Sequence, residues 1–181
     1  MKIEFTLSET DLLTHQLFAA AKSKRVQKRR AKGKLFLLLI YMVVGLFIWE
    51  RNGVVTGGIF FLVCLPLYLL YIYMERKQYI THFKKYVNDV YKDRAATTTT
   101  IDIQDKLITM RDGTNESTIP VAEVEVIYEI GTLYSLGLST GQSIVIPKAN
   151  VTPADNLAPY FREIAGRFGI PYEQELNWRW K

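Results

Sequence analysis

One cysteine, two histidines and six prolines are all that 181 residues contain of these types. A lone Cys64 excludes an intramolecular disulfide and a cysteine-built metal site, and it fits a reducing compartment. His15 and His82 stand far apart, and neither has a second histidine beside it. No glycine-rich phosphate loop and no nucleophile elbow is present. These gaps point to a non-enzymatic protein with no cofactor and no metal. The most informative gap is in charge. Of 23 basic and 18 acidic residues, only Glu50 and Arg51 fall within Leu35–Met74. A 40-residue stretch with one short charged interruption argues against a purely soluble protein. The mean hydropathy of +0.02 is therefore an average over two unlike parts.

The apolar stretch divides into Leu35–Trp49 and Val54–Tyr73, joined by Glu50-Arg51-Asn52-Gly53 as a tight turn. The second run has 20 residues and reaches about 30 Å as a helix, the thickness of a hydrocarbon core. The first is shorter, but Lys32 and Lys34 can snorkel, and Tyr41 and Trp49 suit an interface. A cleaved signal peptide is disfavoured, because no small-x-small site follows Trp49 and a second apolar run comes at once. The expectation is a multi-pass protein with a transmembrane hairpin over residues 35–74, its spans at 35–49 and 54–73. Pro66 should bend the second span. Gly53 and Gly57 form a GxxxG, with Gly58 next to it. Such small residues let helices approach closely, within the hairpin or between two copies in a homo-oligomer.

Charge by region orients the hairpin. Residues 1–34 carry a net +6, residues 75–96 a net +3 and residues 97–181 a net −4. Lys22, Lys24, Arg25, Lys28, Arg29, Arg30, Lys32 and Lys34 crowd one flank with no acid among them. The positive-inside rule then puts both termini in the cytoplasm of a bacterial cell, with the hairpin in its inner membrane. The same basic run would attract anionic lipid headgroups. No nucleic-acid partner is expected, because no readout motif accompanies the run.

Helical stalks flank the hairpin. Ser8 or Thr10 suits an N-cap, with Glu9 and Asp11 in the first turn. Leu13, Leu17 and Ala20 mark an apolar face ahead of the basic run, and Ile80, Phe83, Val87 and Val90 repeat at helical spacing beyond the second span. Only Gly33 breaks the first pattern. Two paired helices over 9–34 and 75–96 are favoured over two lying on the membrane surface, because both apolar faces need a partner.

From Thr97 the period changes from helical to alternating. Strands are expected at 97–103, Leu107–Arg111, Ser117–Ile119, Val124–Ile130, Leu133–Leu138 and Ser143–Ile146, with turns at Asp112-Gly113-Thr114-Asn115 and Thr140-Gly141. Thr152-Pro153 reads as an N-cap and first helical position, and Leu157, Phe161, Ile164, Ala165 and Phe168 form one face of a helix that Gly169 ends. Six antiparallel strands and one helix result. Ile3–Leu7 also alternates, and it is expected to add an edge strand to this sheet.

Ser117-Thr118-Ile119-Pro120-Val121-Ala122-Glu123-Val124, then Ile130–Leu138, then Ile144-Val145-Ile146-Pro147-Lys148 resemble the YcxB-like family of bacterial membrane proteins. The N-terminal Ile3–Asp11, the basic stretch and the two apolar runs match the same layout, so the resemblance spans nearly the whole chain. It implies a pleckstrin-homology-like fold for residues 97–170, a bent antiparallel sheet closed by the C-terminal helix. The fold class expected is thus an α+β membrane protein: a two-helix hairpin with cytoplasmic helical extensions and a C-terminal β-domain.

Glu123, Glu125 and Glu129 alternate along one strand and read as a solvated sheet face. The first hairpin of the β-domain carries Asp102, Asp105 and one base, Lys106, so a polyanionic headgroup should be repelled there. Tyr128 and Tyr134 read as core or rim aromatics. Residues 171–181 end in Asn177-Trp178-Arg179-Trp180-Lys181, an aromatic and basic tail. It admits three roles: interfacial anchor, exposed partner motif, or one tryptophan packed on the domain. The function expected is the presentation of the cytoplasmic domain to a protein partner at the bilayer. The alternative is an accessory or immunity-type factor acting through its spans, with a transporter or against membrane-active peptides.

Overall fold

The computed structural model describes residues 1–91, 98–104, 106–113, 115–153 and 157–180. Residues 92–97, Asp105, Thr114 and Lys181, to which some of the expectations above extend, lie outside the described residues. The chain divides into a β-unit, Met1–Gln16 with Lys84–Arg179, and a helical unit, Leu17–Phe83 with Trp180.

Three helices precede the β-strands of the second half. They are α1 (Glu9–Lys22), α2 (Lys24–Asn52) and α3 (Val54–Tyr91). Ser8 starts α1 with a reciprocal cap: Asp11 N–H donates to Ser8 Oγ, and Ser8 N–H donates to Asp11 Oδ2, both at 3.1 Å. Leu12, Leu17, Phe18 and Ala20 of α1 are buried, while Leu13, placed with Leu17 and Ala20 on its apolar face, is half-buried. Gly33 lies inside α2, so the basic helix runs on into the first apolar run as expected. The break falls at Ser23, whose backbone is extended, and α2 carries the basic run and the first apolar run as one helix. A glycine inside a helix costs about 1 kcal/mol, which long-range packing readily offsets. The turn between the apolar runs is also tighter than expected. Gly53 alone makes it, at φ 84° and ψ 172°, with its N–H donating to the Trp49 carbonyl. Pro66 lies inside α3, which runs unbroken past it.

The β-unit holds two sheets. Its strands are β1 (Lys2–Thr6), β2 (Thr98–Ile103), β3 (Leu107–Asp112), β4 (Asn115–Pro120), β5 (Val124–Ile130), β6 (Leu133–Leu138), β7 (Ser143–Pro147), β8 (Val151–Thr152) and β9 (Tyr172–Glu175). One sheet runs β4-β3-β2-β1-β8 and the other β7-β6-β5-β9. Two consecutive meanders, β2-β3-β4 and β5-β6-β7, account for most of both. The N-terminal strand joins as proposed but sits inside the sheet, not at its edge. It pairs with β2, Ile3 opposite Ile101 and Phe5 opposite Thr99, and with β8, Phe5 opposite Val151. Among the described residues, eight strands follow residue 97 instead of six. The two extra ones, β8 and β9, are too short or too polar for alternation to reveal. β9 pairs in parallel with β5, so the unit is not wholly antiparallel, and residues 171–181 are not simply a tail. The helix α4 is described over Leu157–Phe168, residues 154–156 ahead of it lying outside the described residues, and Thr152 is the last residue of β8. Its Leu157, Ala158, Phe161 and Ala165 are buried in a core with Ile3, Phe5, Ile101, Ile127, Leu136 and Ile146. Tyr134 joins that core, its ring 4.9 Å from that of Phe161.

Candidate functional site

The helical unit is an antiparallel pair. Because Gly53 is the whole turn, residues of α2 meet those of α3 in fixed register. Gly57 is buried against Trp49: a Cβ there would fall 2.8 Å from the Trp49 Cβ. Gly45, which no spacing rule singled out, is buried under the Phe61 ring, and a Cβ would clash with it. Gly58, expected to pack, has nothing within 4 Å of that position. Of the three glycines named from sequence, then, one packs, one turns the chain and one does neither. Gly45→Leu should lower the stability of the purified full chain by about 1–3 kcal/mol, while Gly58→Leu should not lower it. Thermal melts of the two variants check this, and equal midpoints would remove the close-approach role of Gly45.

Toward the open end of the pair, Glu75 is buried on α3, its side chain 10% exposed. Arg30 grips it from α2 with Nε at 3.2 Å and Nη2 at 3.4 Å, and Lys34 Nζ lies 3.5 Å away. A two-pronged guanidinium–carboxylate contact in this setting is directional as well as charged. The Arg30 guanidinium also lies over two rings, 4.9 Å from the centroid of Trp180 and 5.5 Å from that of Tyr79. Those rings contact each other at 5.6 Å. The basic run is therefore not a uniform solvated collar. Arg30 and Lys34 are held by Glu75, and Lys22 stands over the Phe18 ring. Lys24, Arg25, Lys28, Arg29 and Lys32 line one open side of α2. The C-terminal residues divide in the same way. Trp180 is 5% exposed and packs in the helical unit, Arg179 is exposed, and Trp178 is half-buried. Trp180 is therefore not an exposed anchor.

A second cluster lies in the β-unit. Glu129 is 6% exposed, whereas its spacing from Glu123 and Glu125 had placed it on a wet face. The register shifts between Val124 and Val126, so Glu125 is the extra residue of a bulge. Alternation restarts beyond it, and Glu129 shares the inward face of Ile127. Its carboxylate accepts hydrogen bonds from Lys148 Nζ at 2.9 Å, Tyr172 OH at 2.7 Å and Gln174 Nε2 at 2.6 Å. Arg162 lies 3.6 Å away. Burial alone would raise this carboxyl. The bonds from Lys148, Gln174 and Tyr172, and the Lys148 charge, outweigh it and hold the group at about 2. Burial and the bond to Glu129 push the Tyr172 phenol well up. A carboxylate this acidic stays ionised near neutrality and is poorly matched to proton transfer there. The cluster ties β9 and α4 to β5. Among the described residues, no group of three or more His, Cys, Asp or Glu side chains is placed to hold a metal ion.

These features define an α+β chain with two long apolar helices and an antiparallel-rich β-unit. Comparison with family models, with curated proteins and with solved structures finds no match to it.

Proposed function

We propose that the chain is a non-enzymatic integral membrane protein. The apolar parts of α2 and α3 are its two spans, and the β-unit is a pleckstrin-homology-like module offered to a protein partner in the cytoplasm. The observation that carries this reading is exposure. The most apolar 18-residue windows of α2 and α3 are only 6% and 11% buried. Phe36 is 66% exposed, Val55 76% and Leu62 75%. A soluble protein buries such helices in its core, and an apolar surface this large needs another apolar phase. The bilayer is that phase, and 1.5 Å per residue gives both helices the length to cross it. The basic flank of α2 favours a cytoplasmic location for both ends of the hairpin, as the positive-inside rule requires. The two three-stranded meanders with an amphipathic helix against their core support the module's likeness to pleckstrin-homology domains. The resemblance to YcxB-like proteins supports the same layout.

Expressed in bacterial cells, the chain should resist extraction by alkaline carbonate. A cysteine placed at Asn52, in a Cys64→Ser background, should react with an impermeant maleimide added outside, and one at Glu173 should not. Recovery of the chain in the carbonate supernatant would sink the membrane reading. Labelling at Glu173 from outside would reverse the topology.

A further inference from the structure

The helical unit is strongly basic. Residues 17–83 carry eleven lysines and arginines and only two acids, Glu50 and Glu75. Glu50 lies at the far end of α2, next to the turn. Arg30 and Lys34 face α3, where Glu75 contacts both. Helical geometry puts Lys24, Arg25, Lys28, Arg29 and Lys32 on the opposite side of α2. All five are exposed, and their side chains line an open hollow of about 490 Å³. Among the described residues none of the five forms an ion pair. Lys24 and Lys28, Arg25 and Arg29, and Lys28 and Lys32 are like charges four positions apart. Such pairs destabilise a helix unless an anion lies against them.

The continuation of this face identifies the anion. At helical spacings of three and four it runs from Lys28, Arg29 and Lys32 into Phe36, Leu39 and Val43, which are 66%, 49% and 66% exposed. A ridge of cations leading into an apolar ridge matches an anionic lipid, its headgroup against one and its acyl chains along the other. A soluble anion or an acidic protein has no use for the apolar half. The level agrees. Leu35–Trp49 has 15 residues and spans about 22 Å, short of a hydrocarbon core of about 30 Å. A short span thins the bilayer and draws in its flanking residues, which brings the headgroups to the level of Lys32, Arg29 and Lys28. Arg25 and Lys24 stand one turn further out, about 6 Å. We propose that Lys28, Arg29 and Lys32 form a binding site for the phosphate of an anionic phospholipid on the outer face of α2. The site rests on the membrane reading above. It is narrower than a diffuse collar, in which all eight cations of residues 22–34 count alike.

Native mass spectrometry of the detergent-solubilised full chain tests it, with dioleoylphosphatidylglycerol, dioleoylphosphatidylcholine, inorganic phosphate or a single-stranded DNA oligonucleotide added. Two double variants carry the comparison. Lys28→Gln/Arg29→Gln and Lys24→Gln/Arg25→Gln remove the same two side-chain types from the same face, one turn apart. Neither removes an ion pair, so both report on binding and not on folding. The unaltered chain should retain phosphatidylglycerol in preference to phosphatidylcholine. Retention should fall about thirtyfold in the first variant, the loss of two cations at the headgroups. It should fall less than about threefold in the second, because salt screens the more distant charges. Equal retention of both lipids, or equal losses in the two variants, would overturn the site. Displacement by millimolar inorganic phosphate, or preferential retention of the oligonucleotide, would overturn the lipid as its ligand. A chain that resists carbonate extraction yet shows no lipid preference defeats this site alone. A chain that carbonate extracts defeats the membrane reading and the site with it.

Discussion

Removing residues 2–7 should unfold the β-unit, although the deletion lies more than 90 positions before β2. Strand β1 is an interior strand of its sheet, bonded to β2 on one side and to the edge strand β8 on the other. Deletion exposes two strand edges at once and takes Ile3 and Phe5, 1% and 2% exposed, out of the core. Truncating a buried Ile costs about 2–5 kcal/mol and a buried Phe about 3–5 kcal/mol. The sum is comparable to the whole stability of a typical domain, about 5–15 kcal/mol. Amide hydrogen exchange checks the outcome. Protection across Thr98–Ile103 and Leu133–Leu138 should collapse in the deletion and fall by the single-residue cost in Phe5→Ala. Unchanged protection would mean that β1 is an appendage. The same reasoning predicts that a fragment beginning at residue 97 will not fold alone, so ligand tests belong with the full chain.

What the sequence displays and what it hides follow from the range of the interactions. β5 and β6 are legible to the residue, because alternating Val, Ile, Leu and Tyr between turn residues is a local signal. The apolar helices are legible for the same reason. The join of β1 to β2 was inferable from paired stalks, but its place inside the sheet depends on β8, two residues long. The contacts around Glu75 were not legible. Pairing Arg30 with Glu75 requires knowing that Gly53 alone makes the turn, since one added residue would shift the register. Trp180 closes on Arg30 from the far end of the chain, and an aromatic-basic tail gives no sign of which partner it finds.

Glu129 is the clearest case of a residue misread, and it carries the second large prediction. Period two assigned it to solvent, and a single bulge at Glu125 reverses that assignment. Once turned inward, the carboxylate is tolerable only because Lys148, Tyr172 and Gln174 donate to it. Glu129→Ala should destabilise the β-unit by about 3–5 kcal/mol, the usual cost of removing one partner from a buried charged network. The pH dependence separates this from a simple packing loss. The folded carboxyl sits at about 2 and the unfolded one near 4.5. The unfolded chain therefore binds the proton first, and the stabilisation is present above 4.5 and lost as pH falls toward 2. Its size is about 3 kcal/mol, at 1.36 kcal/mol per pKa unit. His15 adds an acid-sensitive contribution in a different window. Burial lowers it from 6.5 to about 4, so its share is lost as pH falls from 6.5 to 4. Denaturant midpoints from pH 7 to pH 2.5 should thus fall in two stages for the native chain. In Glu129→Gln the lower stage should vanish while the upper one persists. A lower stage of undiminished size in that variant would assign it to another carboxylate and reduce the Glu129 network to packing.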